Sequence, residues 1–278
     1  MTSSLYPPDF SSFAASLQDL FSREQTKSRL SVYETIDSTN AQALRDIGSG
    51  SAQVGDCYLA YSQDAGRGTG DRSWWSPPGA GLWMTRIESL LDSPRPFAFW
   101  PALAALRALR KHGYDVHLKW PNDILLGAAK LGGCLIQTRT DPSGHTLAAI
   151  GLGLNLYQVR FPKDLEGLGI SLRSHDQTKK NETASPLPSP SALIATILDS
   201  FEALRPSSDL RTEFRQSSRM FGKNIAATAG DKQVVVRVLG LDESGHLKIE
   251  YANGHREVWG SGDHFRIKID PSWATDVQ

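Results

Sequence analysis

The sequence has little cysteine and no excess of either charge. Of its 278 residues only two are cysteine, and 30 lysine and arginine residues balance 30 aspartate and glutamate residues. Two thiols cannot form a disulfide framework, and Cys57 and Cys134 lack metal-ligand spacing, so we expect buried reduced thiols, a cytoplasmic location and no metal site. A net charge of zero also disfavours a protein that binds nucleic acid non-specifically.

Three further features are missing. Nowhere do about 18 consecutive apolar residues occur, which argues against a transmembrane helix. The N-terminal sequence MTSSLYPPDF lacks the basic start and apolar stretch of a secretory signal. The pattern GxxxxGKS/T is absent too, which excludes a P-loop nucleotide site. With 40% hydrophobic and 22% charged residues, the composition is that of an ordinary globular protein.

Hydrophobic periodicity predicts both helices and strands over most of the chain. Helices are predicted at Phe10–Phe21, after Asn40 and ending at Gly48, at Ala102–His112, from Leu193 to Leu204 and from Leu210 to Met220. Strands are predicted at Cys57–Tyr61, Val116–Trp120, Ile124–Leu126, Leu135–Thr138 and Ala149–Leu156. Gly151 and Gly153 lie inside the last strand. Glycines in a strand usually mark a place where another group approaches the backbone closely.

The pattern changes near Gly222, where a second predicted domain begins. After it, alternating runs around Val236, Ile249 and Ile267 are separated by tight-turn residues, which indicates a small β-barrel or sandwich. The predicted organisation is an N-terminal extension (1–29), a mixed α/β domain (30–221), an all-β domain (222–270) and a tail (271–278). Within the α/β domain, residues 173–190 are polar and proline-rich, which predicts a mobile surface loop.

A glycine-rich segment, residues 63–76, carries the first candidate site. Its sequence, QDAGRGTGDRSWWS, combines three glycines with two arginines. Glycine lets backbone N–H groups approach oxygen atoms closely, and arginine matches carboxylate and phosphate geometry, so the segment suits an anion. A glycine-rich surface turn explains the same residues equally well, whereas the spacing does not fit a dinucleotide-binding fingerprint.

Three shorter motifs follow: Lys119-Trp-Pro-Asn-Asp123, Lys130-Leu-Gly-Gly133 and Gly151-Leu-Gly-Leu-Asn155. The first displays a lysine, an amide and a carboxylate where a strand stops. The second can place an ammonium group against a ligand carboxylate, and the third is a strand that ends in an amide. Each also has a purely structural interpretation, since Asn and Asp after Pro favour turns and a lysine at a strand edge is usually solvated.

In order and spacing, these motifs resemble those of the biotin–protein ligase family. The series comprises Ser38-Thr-Asn40, Gln63 with Gly66-Arg67-Gly68, Trp74 with Ser76-Pro77, KWPND, Lys130 with Gly133, and GLGLN. The resemblance implies an α+β protein, with a mixed-sheet catalytic domain similar to class II aminoacyl-tRNA synthetases followed by a small SH3-like β-barrel. It also implies two reaction steps. ATP first activates biotin to biotinyl-5′-AMP, and a lysine of a carrier domain then takes the biotinyl group.

The resemblance also implies roles for individual residues. The matches are Ser38, Thr39, Asn40 and Gln63 at the ureido end of biotin; Arg67 and Gly68 over the carboxylate and phosphate; Trp74 against adenine; Lys130 at the biotin carboxylate; Asn155 near the nucleotide; and Asn122 and Asp123 at the reacting centre. Gly66, Thr69, Arg72 and Gly133 are expected in the ligand site as well.

The chemistry agrees with these roles, because two anions, a carboxylate and a triphosphate, must meet. Arg67, Lys119 and Lys130, together with Mg²⁺, would offset their repulsion. Asp123 is the candidate that orients the acceptor amine and accepts its proton.

Two residues depart from the family pattern. Thr69 stands where relatives usually carry a basic residue, and Asp71 stands where they often have glycine. Both changes make the segment less positive, so we expect this chain to release biotinyl-AMP more readily than its relatives, with Arg72 as a compensating charge.

The expected partner is the biotin carboxyl carrier domain of a carboxylase, with biotin and ATP as substrates. Neither specific DNA binding nor a membrane is expected, and a homodimer formed by edge-to-edge sheet pairing is compatible with the sequence. A lipoate–protein ligase, with a related fold and the same adenylation chemistry, is the first alternative. A non-catalytic biotin-binding relative is the second. A DNA-binding repressor ranks lower, since residues 1–30 are too short for a helix-turn-helix domain.

Overall fold

The structure, a computed structural model, describes residues 8–23, 29–91, 97–178, 187–205, 210–260, 265–268 and 270. The helices are α1 (Phe10–Arg23), α2 (Thr39–Ser49), α3 (Trp100–Lys111), α4 (Leu172–Thr178), α5 (Pro190–Leu204) and α6 (Leu210–Gln216). The strands are β1 (Leu30–Ile36), β2 (Cys57–Gln63), β3 (Gly81–Ser89), β4 (Val116–Lys119), β5 (Asp123–Leu126), β6 (Ala129–Thr140), β7 (Thr146–Asn155), β8 (Asn224–Ala229), β9 (Lys232–Leu241), β10 (Leu247–Tyr251), β11 (Arg256–Trp259) and β12 (Phe265–Ile267). This mixture confirms the predicted α+β class. None of the described helices is both long and apolar enough to cross a membrane.

The chain forms two compact units, each made of two stretches of sequence. The first unit combines Met1–Ser93 with Leu131–Asp199, and the second combines Pro94–Lys130 with Ser200–Gln278. In the first unit the strands follow the order β1-β2-β3-β7-β6. β1 and β2 are parallel and the remaining neighbours are antiparallel, so this sheet is mixed.

Helix α2 covers one face of that sheet. Its apolar side forms a core with three of the strands, and the buried members are Ala43, Ile47, Tyr58, Ile87, Leu147 and Ala149. Complete burial of a side chain as large as Ile47 stabilises the fold by roughly 2 kcal/mol. Helix α1 also packs on the first unit, since the rings of Phe10 and Phe13 each meet Tyr61 edge-on at a centroid distance of 5.9 Å.

The ends of α2 show why it stops where it does. Ser38 has an extended backbone, and its Oγ accepts a hydrogen bond from the Ala41 N–H at 3.4 Å, so Ser38 is the N-cap. Gly50, at φ 74°, is the C-cap, and the prediction that the helix ends at Gly48 is wrong. At Gly48 the guanidinium of Arg139 occupies the space that a Cβ would need. That glycine therefore permits close packing and does not end the helix.

The second unit contains the β4–β5 hairpin, helices α3 and α6, and a sheet from the C-terminal part of the chain. In the hairpin, Lys119 lies opposite Asp123. The C-terminal strands follow the order β11-β10-β9-β8-β12 and are all antiparallel. This sheet is the all-β part predicted after Gly222, although β8 and β11 were not predicted.

The prediction of a loop over residues 173–190 is wrong at its start. Leu172–Thr178 forms α4, whose first turn is held because Ser171 Oγ accepts a hydrogen bond from the Ser174 N–H at 2.9 Å. Leu172 is buried and anchors the helix. Residues 179–186 lie outside the described residues, as do Ile269 and the predicted tail.

Candidate functional site

Three candidate residues lie side by side where α2 begins, in the first unit. Ser38, Thr39 and Asn40 are only 2%, 3% and 4% exposed. Polar groups buried to this degree need hydrogen-bond partners. Ser38 finds one as the cap of α2, which fixes the first turn and so places Thr39 and Asn40.

A continuous line of hydrogen bonds joins Thr39 and Asn40 to the sheet. Thr39 N donates to Gln63 Oε1 at 2.9 Å, and Thr85 Oγ1 donates to Thr39 Oγ1 at 2.8 Å. Asn40 Nδ2 donates to Gln137 Oε1, also at 2.8 Å. The structure thus brings together three predicted residues and adds two that sequence reasoning missed, Thr85 and Gln137. We call these five residues the amide network.

The amide network is uncharged and largely buried, so it suits an uncharged polar group of a ligand that both donates and accepts hydrogen bonds. Gln63 Nε2 donates to Ser76 Oγ at 2.8 Å, which ties the network to the glycine-rich segment. At Gly66 a Cβ would collide with the Trp74 carbonyl and lie 2.8 Å from Ser76 Oγ. Glycine is therefore required at position 66 by packing.

Two glycines of β7 make room for candidate side chains. A Cβ on Gly151, which lies opposite Thr85 in the sheet, would be 3.0 Å from Asn40 Oδ1. A Cβ on Gly153 would be 2.7 Å from the indole of Trp74. The prediction that another group approaches this strand closely is therefore confirmed. Gly133 lies opposite Gly153 on β6, so two bare backbone positions face each other there.

Residues 66–74 form a narrow two-stranded ribbon. Trp74 N donates to the Gly66 carbonyl at 2.8 Å, and Gly68 N donates to the Arg72 carbonyl at 2.7 Å. Arg67 and Arg72 are both exposed, and Arg72 Nε donates back to the Thr69 carbonyl at 3.0 Å. The ribbon thus carries two guanidinium groups on the surface of the first unit, where they can meet an anion.

Asn155 has a different environment from the amide network. It is buried at the end of β7, where its Nδ2 donates to the Ile170 carbonyl at 3.1 Å and its Oδ1 accepts from Gln158 Nε2 at 3.0 Å. These bonds tie β7 to the segment that follows it. A role of Asn155 at the nucleotide stays a prediction.

The second unit holds a cluster of two lysines and one carboxylate. Asp123 begins β5, with Lys119 across the hairpin and Lys130 at the start of β6. Lys119 Nζ lies 2.6 Å from Asp123 Oδ2, and Lys130 Nζ lies 2.5 Å from Asp123 Oδ1. We call these three residues the lysine cluster. Asn122 lies half-buried in the turn between its members.

The charge of Asp123 is fixed by its neighbours. Burial alone would raise the pKa of this carboxyl, but the two ammonium groups outweigh burial and lower the pKa below its usual range. Because both carboxylate oxygens bind ammonium groups, Asp123 is a weak base. The geometry therefore favours a role of Asp123 in holding Lys119 and Lys130 in place. The predicted role, to orient the acceptor amine and accept its proton, stays a prediction.

Neither cysteine offers chemistry. Cys57 and Cys134 are buried and form no disulfide, and burial raises the pKa of the Cys57 thiol to about 12, which keeps it protonated. Among the described residues there is no group of three or more His, Cys, Asp and Glu side chains that could hold a metal ion.

The fold and these residues define a class of protein. Exposed guanidinium groups on a glycine-rich ribbon and a lysine pair held by one carboxylate are suited to carboxylates and phosphates. The amide network adds a cluster of uncharged polar groups on the sheet. The class is that of α+β proteins that bind anionic small molecules with a polar, uncharged end.

Comparison with known proteins narrows this class. Residues 32–155 match the biotin/lipoate A/B protein ligase family, and residues 220–265 match the biotin protein ligase C terminal domain. The bifunctional ligase/repressor BirA of Salmonella typhimurium is 30% identical over 240 residues, which cover 84% of this chain and 73% of that protein. The biotin--[acetyl-CoA-carboxylase] ligase of Mycobacterium tuberculosis is 25% identical over 254 residues, which cover 86% of this chain and 90% of that protein.

A solved structure shares the fold. The biotin protein ligase from Aquifex aeolicus in complex with biotin and ATP matches with a TM-score of 0.67 and 19% identity, over 86% of this chain and 99% of that chain. At this identity the likeness concerns the fold. Taken with the sequence relatives, it leads to a plain conclusion: the chain belongs to the biotin protein ligase family.

Proposed function

We propose that this protein is an ATP-dependent biotin–protein ligase. In the first step the biotin carboxylate attacks the α-phosphorus of ATP, the bond to the β-phosphate breaks, and biotinyl-5′-AMP and pyrophosphate form. In the second step the amine of a carrier lysine attacks the acyl carbon, AMP leaves, and an amide forms with release of a proton. The acceptor amine must reach its neutral form, against an unperturbed pKa of ~10.4.

The observation that carries this proposal is the amide network. Its backbone N–H of Thr39 and its side-chain amides and hydroxyls offer donors and acceptors without charge, which suits the ureido ring of biotin. We assign Ser38, Thr39, Asn40 and Gln63 to that end of the ligand. The family membership and the ligands named for the Aquifex aeolicus structure support the assignment.

We assign the anionic end of the ligands to the cationic residues. Arg67 and Gly68 on the ribbon would bind carboxylate and phosphate oxygens, and Trp74 would pack against adenine. An ammonium group carries three N–H donors, so Lys119 and Lys130 can bind Asp123 and also a phosphate or carboxylate oxygen. Asp123 would hold both lysines in place while charge develops at phosphorus.

Mg²⁺ is expected with ATP, and the described residues contain no group of three or more His, Cys, Asp and Glu side chains that could hold it without the nucleotide. Asp123 already binds two ammonium groups, so it does not supply a free carboxylate.

We infer further that the catalytic domain is similar to class II aminoacyl-tRNA synthetases and that the C-terminal domain is an SH3-like barrel. We assign residues 30–221 to the catalytic domain and residues 222–270 to the C-terminal domain. The name of the Mycobacterium tuberculosis relative supports a biotin carboxyl carrier domain as partner. A cytoplasmic location and a homodimer stay predictions.

The test is to incubate the protein with biotin, ATP, Mg²⁺ and a biotin carboxyl carrier domain and to weigh the carrier by mass spectrometry. We expect a gain of one biotinyl group, lost in Lys130→Ala and retained in Lys111→Ala, an exposed lysine at the end of α3. A gain only with lipoate and a lipoyl domain would make the protein a lipoate ligase. Absence of pyrophosphate with either acid would indicate a non-catalytic relative.

A further inference from the structure

The KWPND hairpin and the C-terminal sheet belong to the same unit and are joined by hydrogen bonds. Trp120 Nε1 donates to the Gly245 carbonyl at 2.9 Å. Lys119 Nζ, besides its bond to Asp123, lies 3.3 Å from the Ile267 carbonyl and donates to it. Trp120 is 3% exposed, so its indole N–H depends on this one carbonyl in a nearly dry environment.

The carbonyl that binds Trp120 lies in a tightly built turn between β9 and β10. Asp242 Oδ1 accepts from the N–H groups of Ser244 and His246 at 2.9 and 2.8 Å, and Asp242 Oδ2 lies 3.0 Å from His246 Nδ1. Gly245, at φ 85°, donates its own N–H to the Asp242 carbonyl at 3.1 Å. The side chain of Asp242 therefore determines where the Gly245 carbonyl points.

We propose that this turn, residues 242–246, is a positioning element for the ligase reaction. Through Gly245 it holds Trp120, and Trp120 in turn fixes its chain neighbour Lys119 and the start of the lysine cluster. Asp242 and His246 are positioning residues, since they act through Trp120. This inference rests on the proposed function, and it assigns the C-terminal sheet a part in the chemical step.

The chain offers a matched control. Residues 141–145, DPSGH, form a turn between β6 and β7 with the same arrangement as DESGH at 242–246. Asp141 Oδ1 accepts from the N–H groups of Ser143 and His145 at 2.9 and 2.8 Å. This second turn lies in the first unit, so it is built alike but is not the turn that holds Trp120.

The experiment compares Asp242→Ala with Asp141→Ala in the full-length protein. A hydrogen bond of ordinary strength corresponds to about a fivefold change in rate, so we expect Asp242→Ala to lower kcat for pyrophosphate formation about fivefold. The Kd for biotin alone should change less than kcat, because the amide network, which is assigned to the ureido end of biotin, lies in the other unit. Asp141→Ala should leave both values as in the unaltered protein.

A double-mutant cycle tests whether the turn acts through Trp120. In a Trp120→Phe background, which lacks the indole N–H, Asp242→Ala should lower kcat no further, whereas additive losses would overturn the proposal. Equal kcat in Asp242→Ala and the unaltered protein would overturn it too. If Asp242→Ala does not fold, Asp242→Asn replaces it. Asparagine keeps an acceptor for the N–H groups of Ser244 and His246 and weakens the bond to His246 Nδ1, so we expect a smaller loss of kcat in the same direction, and an unchanged kcat would overturn the proposal.

A readout without catalysis separates this inference from the proposed function. In protein labelled with ¹⁵N at tryptophan, Trp120→Phe identifies the Trp120 indole resonance. Asp242→Ala should shift that resonance and Asp141→Ala should not. If the resonance shifts but the unaltered protein forms no pyrophosphate, the coupling between Asp242 and Trp120 is supported and the ligase assignment is rejected. Ligase activity together with an unmoved resonance would support the ligase assignment and reject the coupling between Asp242 and Trp120.

Discussion

Asp123 is the residue on which the lysine cluster depends. Its carboxylate bridges two ammonium groups that would otherwise repel each other, and it is 9% exposed. Its position could be predicted from the KWPND motif, and so could those of the two lysines. What no local pattern could give was the bridging geometry, which arises only when the hairpin places Lys119 opposite Asp123.

Asp123→Asn should remove the negative charge and leave two ammonium groups side by side. We expect pyrophosphate formation to fall at least about tenfold, since the lysines lose their fixed position. The free energy of unfolding should fall by about 3 kcal/mol, as when one partner of a buried ion pair is removed. Asp231→Asn, in the exposed turn between β8 and β9, is the control for both measurements. Unchanged activity would contradict the role of the charge.

Because of His117, we expect the free energy of unfolding to fall in mild acid. The part of the chain that the structure describes contains no hydrogen-bond partner for either ring nitrogen, and burial, followed by the charge of Arg219, lowers the pKa of His117 from 6.5 to about 4. His117 is therefore protonated near pH 6.5 in the unfolded chain, whereas in the folded chain it is protonated only near pH 4. The contribution of neutral His117 to the free energy of unfolding is therefore complete above pH 6.5 and decreases as the pH falls from 6.5 towards 4.

Urea unfolding at pH 7.5 and pH 5 measures this effect. His117→Leu should lose about 2 kcal/mol less than the unaltered protein between the two pH values. His255→Leu, an exposed position, should behave like the unaltered protein. An identical pH dependence in His117→Leu would show that another group is responsible.

We expect Thr69 to influence how firmly the protein holds biotinyl-5′-AMP. It lies in the turn of the ribbon near exposed Asp71, where Arg72 folds back and donates to the Thr69 carbonyl. Thr69→Arg should lower the labelling of bystander lysines about threefold, the size expected for one exposed charge interaction. The measurement is biotin on an unrelated protein relative to a sample without enzyme. Labelling at that background level in the unaltered protein would reject the hypothesis of release.

At the scale of elements, β7 shows what strand glycines can do. Gly151 and Gly153 were predicted to admit a close neighbour, and they admit Asn40 and Trp74. Thr85 and Gln137 could not be predicted as part of the same site. They are single polar residues in strands, and they reach the amide network only because β3 and β6 both pair with β7.

Gly153→Ala should displace Trp74, because its Cβ would lie 2.7 Å from the indole. We expect the KM for ATP to rise about tenfold, the equivalent of ordinary overpacking, with little change in the Kd for biotin. Gly240→Ala is the matched control, since this glycine of β9 has no atom within 4 Å of a built Cβ. An equal effect of both substitutions would argue against a role of Trp74 at adenine.

Other elements show where pattern reasoning fails. In β8 (Asn224–Ala229) the buried positions are Ile225 and Ala227, and alanine is too small to mark an alternation. In β11 (Arg256–Trp259) only Trp259 is buried, so no alternation exists. Helix α4 was predicted as a loop because its sequence is polar. The capping Ser171 and the buried Leu172 are nevertheless enough to start it.

At the scale of the whole molecule, the predicted domain boundary and the compact units differ in one respect. The sequence places a boundary near Gly222, whereas the second unit joins 94–130 to everything from Ser200 onward. Composition could indicate where the all-β part begins. It could not indicate that the KWPND hairpin packs with that part, since this depends on bonds such as that from Trp120 to Gly245.

Truncation distinguishes the predicted domain boundary near Gly222 from the division into two compact units. A chain that ends at residue 221 lacks the carbonyls of Gly245 and Ile267, so we expect it to lose ligase activity and to unfold at a lower temperature than the full chain. Thermal unfolding by circular dichroism and the carrier mass assay measure this. If residues 1–221 keep full activity and stability, the sequence-based boundary describes the independent parts better.

Each unit is assembled from two stretches of chain, and this has a consequence for synthesis on the ribosome. The polypeptide leaves the first unit after Ser93, returns at Leu131 and leaves again after Asp199. Because translation is vectorial, the segment 94–130 emerges long before the C-terminal strands that complete its unit. The nascent chain must therefore carry the KWPND hairpin without the rest of its unit until the C-terminal strands have been synthesised, and in that interval we expect chaperones to bind it.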